Sequence, residues 1–236
     1  MYRQRGRDDP WCSRHHAAST ELGVPVHPLL QTYLEELPLI AILRGITPTE
    51  ACAVVEVLYQ VGFRIVEVPL NSPEPLRSIK HIATAFGDRM LVGAGTVMRA
   101  TDADAVCDVG ARIIVSPNTD PEVIRASVDR GAISLPGAAT PSEVFVALKA
   151  GAHGVKAFPA EMLTPSVIKS WRSVLPPEVP VVAVGGINTD NARAYWQAGV
   201  SGFGLGGALY KAGKSIDAIA ADAAQFVSLL RNLDQS

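Results

Sequence analysis

From Pro38 onward, short β-branched runs alternate with longer segments whose apolar residues recur at three- and four-residue spacing. The runs are LIAILR, RIVEV, MLVGAGT, RIIVS, AISLP, GVKAF, VVAVG and GFGLG, between Leu39 and Gly206. The first pattern suits buried strands and the second suits helices with one apolar face. Among the helical segments are TEACAVVEVLYQ, PLRSIKHIATAF, PEVIRASVDR, PSEVFVALKA and NARAYWQA. The alternation predicts eight strand-then-helix units.

Glycines punctuate it. Gly62, Gly110, Gly131, Gly151 and Gly199 each stand where a helical pattern ends and the next strand begins. That is where a left-handed residue closes a helix. Eight such units in 236 residues predict an α/β fold of the (β/α)8, or TIM, barrel type. A doubly wound open sheet is the alternative, but no GxGxxG follows the first strand. Residues 29–236 are expected to form the single barrel domain and residues 1–28 a poorly ordered extension.

Composition narrows the function. With 48% hydrophobic residues, 19% charged residues and a net charge of -2, the chain has ample core but no basic face for nucleic acid. No apolar run is long enough to span a bilayer. The arginine-containing N-terminus has no apolar stretch of the kind a secretory signal needs. Cys12, Cys52 and Cys107 follow neither metal-ligand nor disulfide spacing. A cytoplasmic protein with reduced thiols and no membrane association is the expectation.

Side chains alternate across a strand. In RIVEVPL the valines Val66 and Val68 suit the surrounding helices, which sends Ile65 and Glu67 into the barrel. The same alternation turns Lys156 of GVKAF inward, and it places Arg44 at the inner end of the first strand. Three ionisable groups are thus expected near the carboxyl ends of strands one, two and six, the end that carries barrel active sites.

Two roles fit Lys156. Burial and the neighbouring Arg44 both disfavour its ammonium, so it could act as a neutral amine that forms a Schiff base with a ketone. Glu67 would then move protons, and the planar fork of Arg44 would hold a substrate carboxylate. Alternatively Lys156 reaches towards solvent and forms a structural salt bridge with Glu67.

Glycine pairs after strands seven and eight, Gly185–Gly186 and Gly206–Gly207, each lead towards a helix, as in barrels that bind phosphate there. Thr96, the SPN at Ser116–Asn118 and PGAAT at Pro136–Thr140 add small polar groups around the mouth.

In order and one per strand, ILRG, VEVPLNS, GAGTV, SPN, PGAAT, VKAFPA, AVGGI and GLGGALY resemble the signatures of the class I aldolases that cleave 2-keto-3-deoxy-6-phospho sugar acids. The resemblance covers about Pro38 to Gly213. It implies cleavage to pyruvate and D-glyceraldehyde 3-phosphate, with Lys156 as the Schiff-base lysine and Glu67 as the general acid and base. It implies that Arg44 and Thr96, with backbone around Pro117 and Gly137, hold the pyruvate carboxylate, and that Gly185, Gly186, Gly206 and Gly207 hold the phosphate. It implies neither metal nor cofactor, and a homotrimer.

Gluconate-type members usually read LRT after the glutamate strand and carry Thr before the strand-seven glycines. This chain reads PLNS and carries Val184, which resembles the 6-phosphogalactonate type. One departure is Gly207, where members often carry Ser, and it implies weaker phosphate affinity. Two other classes compete with the aldolase: a metal-dependent sugar-phosphate decarboxylase or isomerase with Glu67 as a cation ligand, and a sugar-phosphate-binding barrel without catalysis.

Overall fold

The computed structural model of the chain describes residues 18–19 and 25–233. The extension expected over 1–28 falls almost wholly outside them. Within it, Ala18–Ser19 pairs antiparallel with Pro25–Val26. His27 is buried, and Pro28 already opens a helix.

Eight parallel strand positions follow: β1 Leu39–Ile42, β2 Ile65–Pro69, β3 Leu91–Gly95, β4 Ile113–Val115, β5 Ile133–Leu135, β6 Val155–Ala157, β7 Val181–Val184 and β8 Gly202–Leu205. Sequential neighbours pair from β1 to β5, and β6 to β8 continue the order until β8 pairs with β1 through Gly204 and Ile40. Pro136, which has no N–H to donate, interrupts the fifth position. A two-residue segment, Gly137–Ala138, resumes the ladder to β6. The amides of His153 and Lys156 also donate to the carbonyls of Ser134 and Pro136, so the barrel closes.

The helices are α1 Pro28–Glu36, α2 Ala51–Val61, α3 Pro75–Phe86, α4 Ala100–Asp108, α5 Pro121–Asp129, α6 Pro141–Lys149, α7 Pro165–Arg172, α8 Ala192–Gln197 and α9 Ile216–Leu233. As expected for helix ends, Gly62, Gly110, Gly131, Gly151 and Gly199 all have positive φ. None of the described helices is long and apolar enough to cross a membrane.

Strand alternation separates two cores. Ala41, Val66, Val68, Val155, Ala157, Val181 and Ala183 pack outward against helices. Ile40, Ile42, Ile65, Leu91, Ile113, Ile133, Val182 and Val184 fill the interior. Leu30 and Leu34 of α1 join that inner cluster, so α1 plugs the amino end of the barrel. The plug leaves the carboxyl end as the open mouth.

Beside the plug, the His27 and His153 rings meet edge to face at 5.2 Å between centroids. Nδ1 of His153 accepts the Ser134 amide at 3.1 Å, which requires an unprotonated nitrogen. Burial, with His27 nearby, lowers the pKa of His153 to about 4. Between the unfolded value and that one, the unfolded chain binds more protons. Stability from this group is therefore complete above about pH 6.5 and lost as pH falls towards 4. At pH 5 the loss should be about 2 kcal/mol. Urea unfolding at pH 7.5 and pH 5 should show a stability change about 2 kcal/mol less favourable in the wild type than in His153→Asn, which keeps an acceptor but does not titrate. The opposite contribution of Glu67, whose carboxyl is raised to about 7, is common to both and cancels. Equal changes in the two proteins would remove His153 as the cause.

Candidate active site

Glu67 lies within β2 between Ile42 of β1 and Gly93 of β3, with its side chain in the barrel. It is 2% exposed, and its Oε2 has no hydrogen-bond partner. Room for the carboxyl comes from Gly95, where a Cβ would overlap both carboxyl oxygens and Cδ. Lys156, 6% exposed, is the middle residue of β6, flanked by Gly137 and Val182. Its Nζ stands 4.3 Å from the centroid of the Phe158 ring.

No ion pair within 4.0 Å joins Lys156 to Glu67, and Lys156 is buried, meeting solvent only through the cavity at the mouth. The structural salt bridge therefore has no contact to rest on. Their electrostatic coupling is nonetheless evident. Burial pushes the Glu67 carboxyl up to about 7, against the opposing pull of Lys156 and Arg44. Burial lowers the Lys156 ammonium; Glu67 opposes that shift, and Arg44 adds to it. Both groups are thus driven towards their neutral forms, a free amine and a carboxyl that holds or releases a proton near neutral pH.

Arg44 follows β1 at the mouth. Its Nη1 donates to Asn71 Oδ1 at 2.7 Å and its Nη2 to Thr96 Oγ1 at 3.5 Å. Thr96 has φ of 57°, a left-handed conformation rare for a β-branched residue and common where a site imposes geometry. Asn71 as an anchor for Arg44 was not anticipated. It lies in PLNS, in the loop after the glutamate strand, and only the fold brings it to an arginine 27 residues away.

A cavity of about 500 Å³ opens at this end, walled by Arg44, Lys156, Phe158, both glycine pairs and Val184. Val184 and Ile42 form its apolar side, and Gly204 makes the room, since a Cβ there would meet Val184 Cγ2 at 2.7 Å. Of the other expected residues, Thr96 reaches the cavity through Arg44, and Glu67 lies behind the wall. Pro117 and Gly137 are brought against each other, where a Cβ on Gly137 would overlap the Pro117 carbonyl, but they are not part of this wall.

Each glycine pair leads towards a helix across an intervening loop. The helices after them start at Ala192 and Ile216, so neither helix begins at its glycine pair. Gly206 opens a tight turn instead, its carbonyl accepting the amides of Leu209 and Tyr210. Gly185 and Gly186 have φ of 103° and 64°, and Asn191 Nδ2 holds the Gly186 carbonyl at 2.8 Å. Lys211, which the sequence pattern did not single out, also lines the cavity. Among the described residues no three His, Cys, Asp or Glu side chains gather as a metal site.

Residues 30–225 match the family model for KDPG and KHG aldolase. The chain belongs to the KDPG and KHG aldolase family. That makes it a class I, Schiff-base carbon–carbon lyase. It is 47% identical over 200 residues to the 2-dehydro-3-deoxy-6-phosphogalactonate aldolase of Escherichia coli (strain K12), covering 85% of this chain and 98% of that one. A solved structure described as native KDPGal superimposes with a TM-score of 0.84 at 47% identity, covering 85% of this chain and 98% of that one. A KDPG aldolase from Legionella pneumophila, with pyruvate captured as a covalent carbinolamine, gives a TM-score of 0.73 at 25% identity, with 86% and 97% covered.

In this aldolase, Gly95→Ala tests whether the carboxyl needs its cleared space. The added methyl should displace Glu67 and lower kcat by about 10²-fold, the usual consequence of a misplacement near 1 Å. Overpacking should cost about 1–3 kcal/mol of stability. Steady-state kinetics and urea unfolding read both, and unchanged kcat would show that Glu67 is not held by Gly95.

Proposed function

We propose that the protein is a 2-dehydro-3-deoxy-6-phosphogalactonate aldolase, reversibly cleaving its substrate to pyruvate and D-glyceraldehyde 3-phosphate through a Schiff base on Lys156. The observation that carries this is the burial of Lys156 and Glu67 together, which drives the amine towards its nucleophilic form and puts the carboxyl pKa at about 7.

The amine of Lys156 adds to the C2 carbonyl, and loss of water leaves an iminium. Glu67 removes the proton of the C4 hydroxyl, the C3–C4 bond breaks, and its electron pair moves into the iminium to give an enamine. D-glyceraldehyde 3-phosphate departs. Glu67 returns its proton to C3, and hydrolysis releases pyruvate and restores the amine. A carboxyl with a pKa of about 7 suits both proton transfers at neutral pH. Arg44, anchored by Asn71 and Thr96, holds the substrate carboxylate, helped by backbone near Pro117 and Gly137. The phosphate lies at Gly185, Gly186, Gly206 and Gly207. The protein acts as a cytoplasmic homotrimer.

Incubation with pyruvate followed by borohydride reduction should leave a mass adduct on the peptide carrying Lys156, absent from a folded Lys156→Met variant. No adduct on folded wild-type protein would overturn the Schiff-base assignment.

Val184 supports the galactonate epimer. It is 7% exposed on the cavity wall and offers no hydrogen-bond donor. Val184→Thr should move the ratio of kcat/KM for the two C4 epimers towards the gluconate form by about tenfold or more, the scale of one gained polar contact. An unchanged ratio would place epimer selection elsewhere.

A further inference from the structure

The two halves of the phosphate end carry opposite charges. On the β7 side, the Glu161 side chain lies across the glycine pair. Its Oε2 stands 2.5 Å from where a Cβ on Gly185 would be, and its Cγ 2.5 Å from the equivalent point on Gly186. Its carboxylate is also near enough to Tyr195 to help burial raise the phenol pKa. On the β8 side, nothing approaches Gly206 within 4 Å of that point, and at Gly207 only Lys211 does, with its Cε at 3.6 Å. Lys211 lines the cavity and has no ion-pair partner among the described residues. Arg44, the cavity's other surface cation, is engaged by Asn71 and Thr96.

Resting on the aldolase reading above, we infer that Lys211 and Glu161 are an opposed pair that tunes affinity for the phosphate group of the substrate, Lys211 raising it and Glu161 lowering it. Lys211 supplies a donor, and with it a charge, where Gly207 has no hydroxyl to offer. An ammonium acts on a phosphate as a point charge on a flexible stem, so it needs no fixed fork to reach the anion from the turn after β8. Glu161 opposes any anion that approaches the β7 glycines. A phosphate bound there is held by Lys211 and by backbone amides against that repulsion, so the two side chains act on its affinity with opposite sign. Phosphate affinity is thus set by the balance of one attractive and one repulsive group.

Titration with inorganic phosphate by calorimetry tests the pair without turnover. Lys211→Met should weaken phosphate binding at least tenfold, and Glu161→Gln should strengthen it about three- to tenfold. These changes match removal of one attractive charge or relief of one repulsion, at 1.4 kcal/mol for each tenfold change. Both side chains are exposed, so both variants are expected to fold. In the addition direction, the ratio of kcat/KM for D-glyceraldehyde 3-phosphate over D-glyceraldehyde should fall in Lys211→Met and rise in Glu161→Gln. Phosphate affinity and ratio within twofold of wild type in Lys211→Met would remove Lys211 from the site. Unchanged or weaker phosphate binding in Glu161→Gln would remove Glu161. Absence of the pyruvate adduct would overturn the Schiff-base reading alone, since phosphate titration decides this proposal independently.

Discussion

Desolvation of two ionisable groups inside an aliphatic barrel is the constraint on which the rest depends. Glu67 and Lys156 are 2% and 6% exposed, among isoleucines and valines of the inner cluster. In water the pair would be an ammonium, which cannot add to a carbonyl, and a carboxylate too weakly basic to hold a proton for return. Removing water penalises both charges at once, moving the glutamate up and the lysine down. The residual attraction between them opposes both shifts, and Arg44 favours the glutamate's charge while disfavouring the lysine's. Reactivity here is a property of the medium before it is a property of either side chain.

That medium has to be built. Below the pair, Leu30 and Leu34 of α1 seal the amino end and the β-branched layers fill the interior, so water has access only from the mouth. Beside it, small residues make room where polar groups must lie. Gly95 leaves space for a carboxyl, Gly204 for Val184, and Gly137 for the carbonyl of Pro117. Each glycine removes a side chain from a barrel that otherwise packs tightly. The site is therefore a set of spaces cleared in the core, positioned by strand register.

Strand alternation made much of this legible. The two faces of each barrel strand meet different surroundings, so RIVEV and GVKAF reveal which residues turn inward, and the inner and outer clusters divide along those lines. The glycine helix ends were legible for a similar reason, because left-handed backbone has few alternatives to Gly. What stayed hidden depends on contacts across the fold. Asn71 meets Arg44 only because loops after neighbouring strands converge, and Gly95 matters only because Glu67 is beside it. The role of α1 as a plug lies in apolar spacing at Leu30 and Leu34 that resembles any other amphipathic helix. Lys211 stands four residues after Gly207, and only the turn at Gly206 carries it back over the cavity. That the glycine pairs lead towards helices was legible, but how far each helix lies from its pair was not, because a glycine-rich turn and a helix entry look alike until the turn's hydrogen bonds are known.

The cavity is graded from dry to wet, and the grading follows the charges it must accept. In the proposed reaction the carbonyl needs a neutral amine, and it meets Lys156 deep in the barrel. A phosphate carries up to two charges, and burying it among apolar strands would cost more than loop contacts could return. In the proposed reading it belongs where Gly186, Gly207 and Lys211 are exposed, and water completes its solvation. In the same reading Arg44, exposed at the mouth and on the same cavity wall as Lys156, holds the terminal carboxylate next to the reacting carbonyl. A substrate with an anionic group at each end and a ketone near one of them therefore has one favourable orientation. The fold imposes that orientation through solvation before any specific contact with the sugar hydroxyls is made.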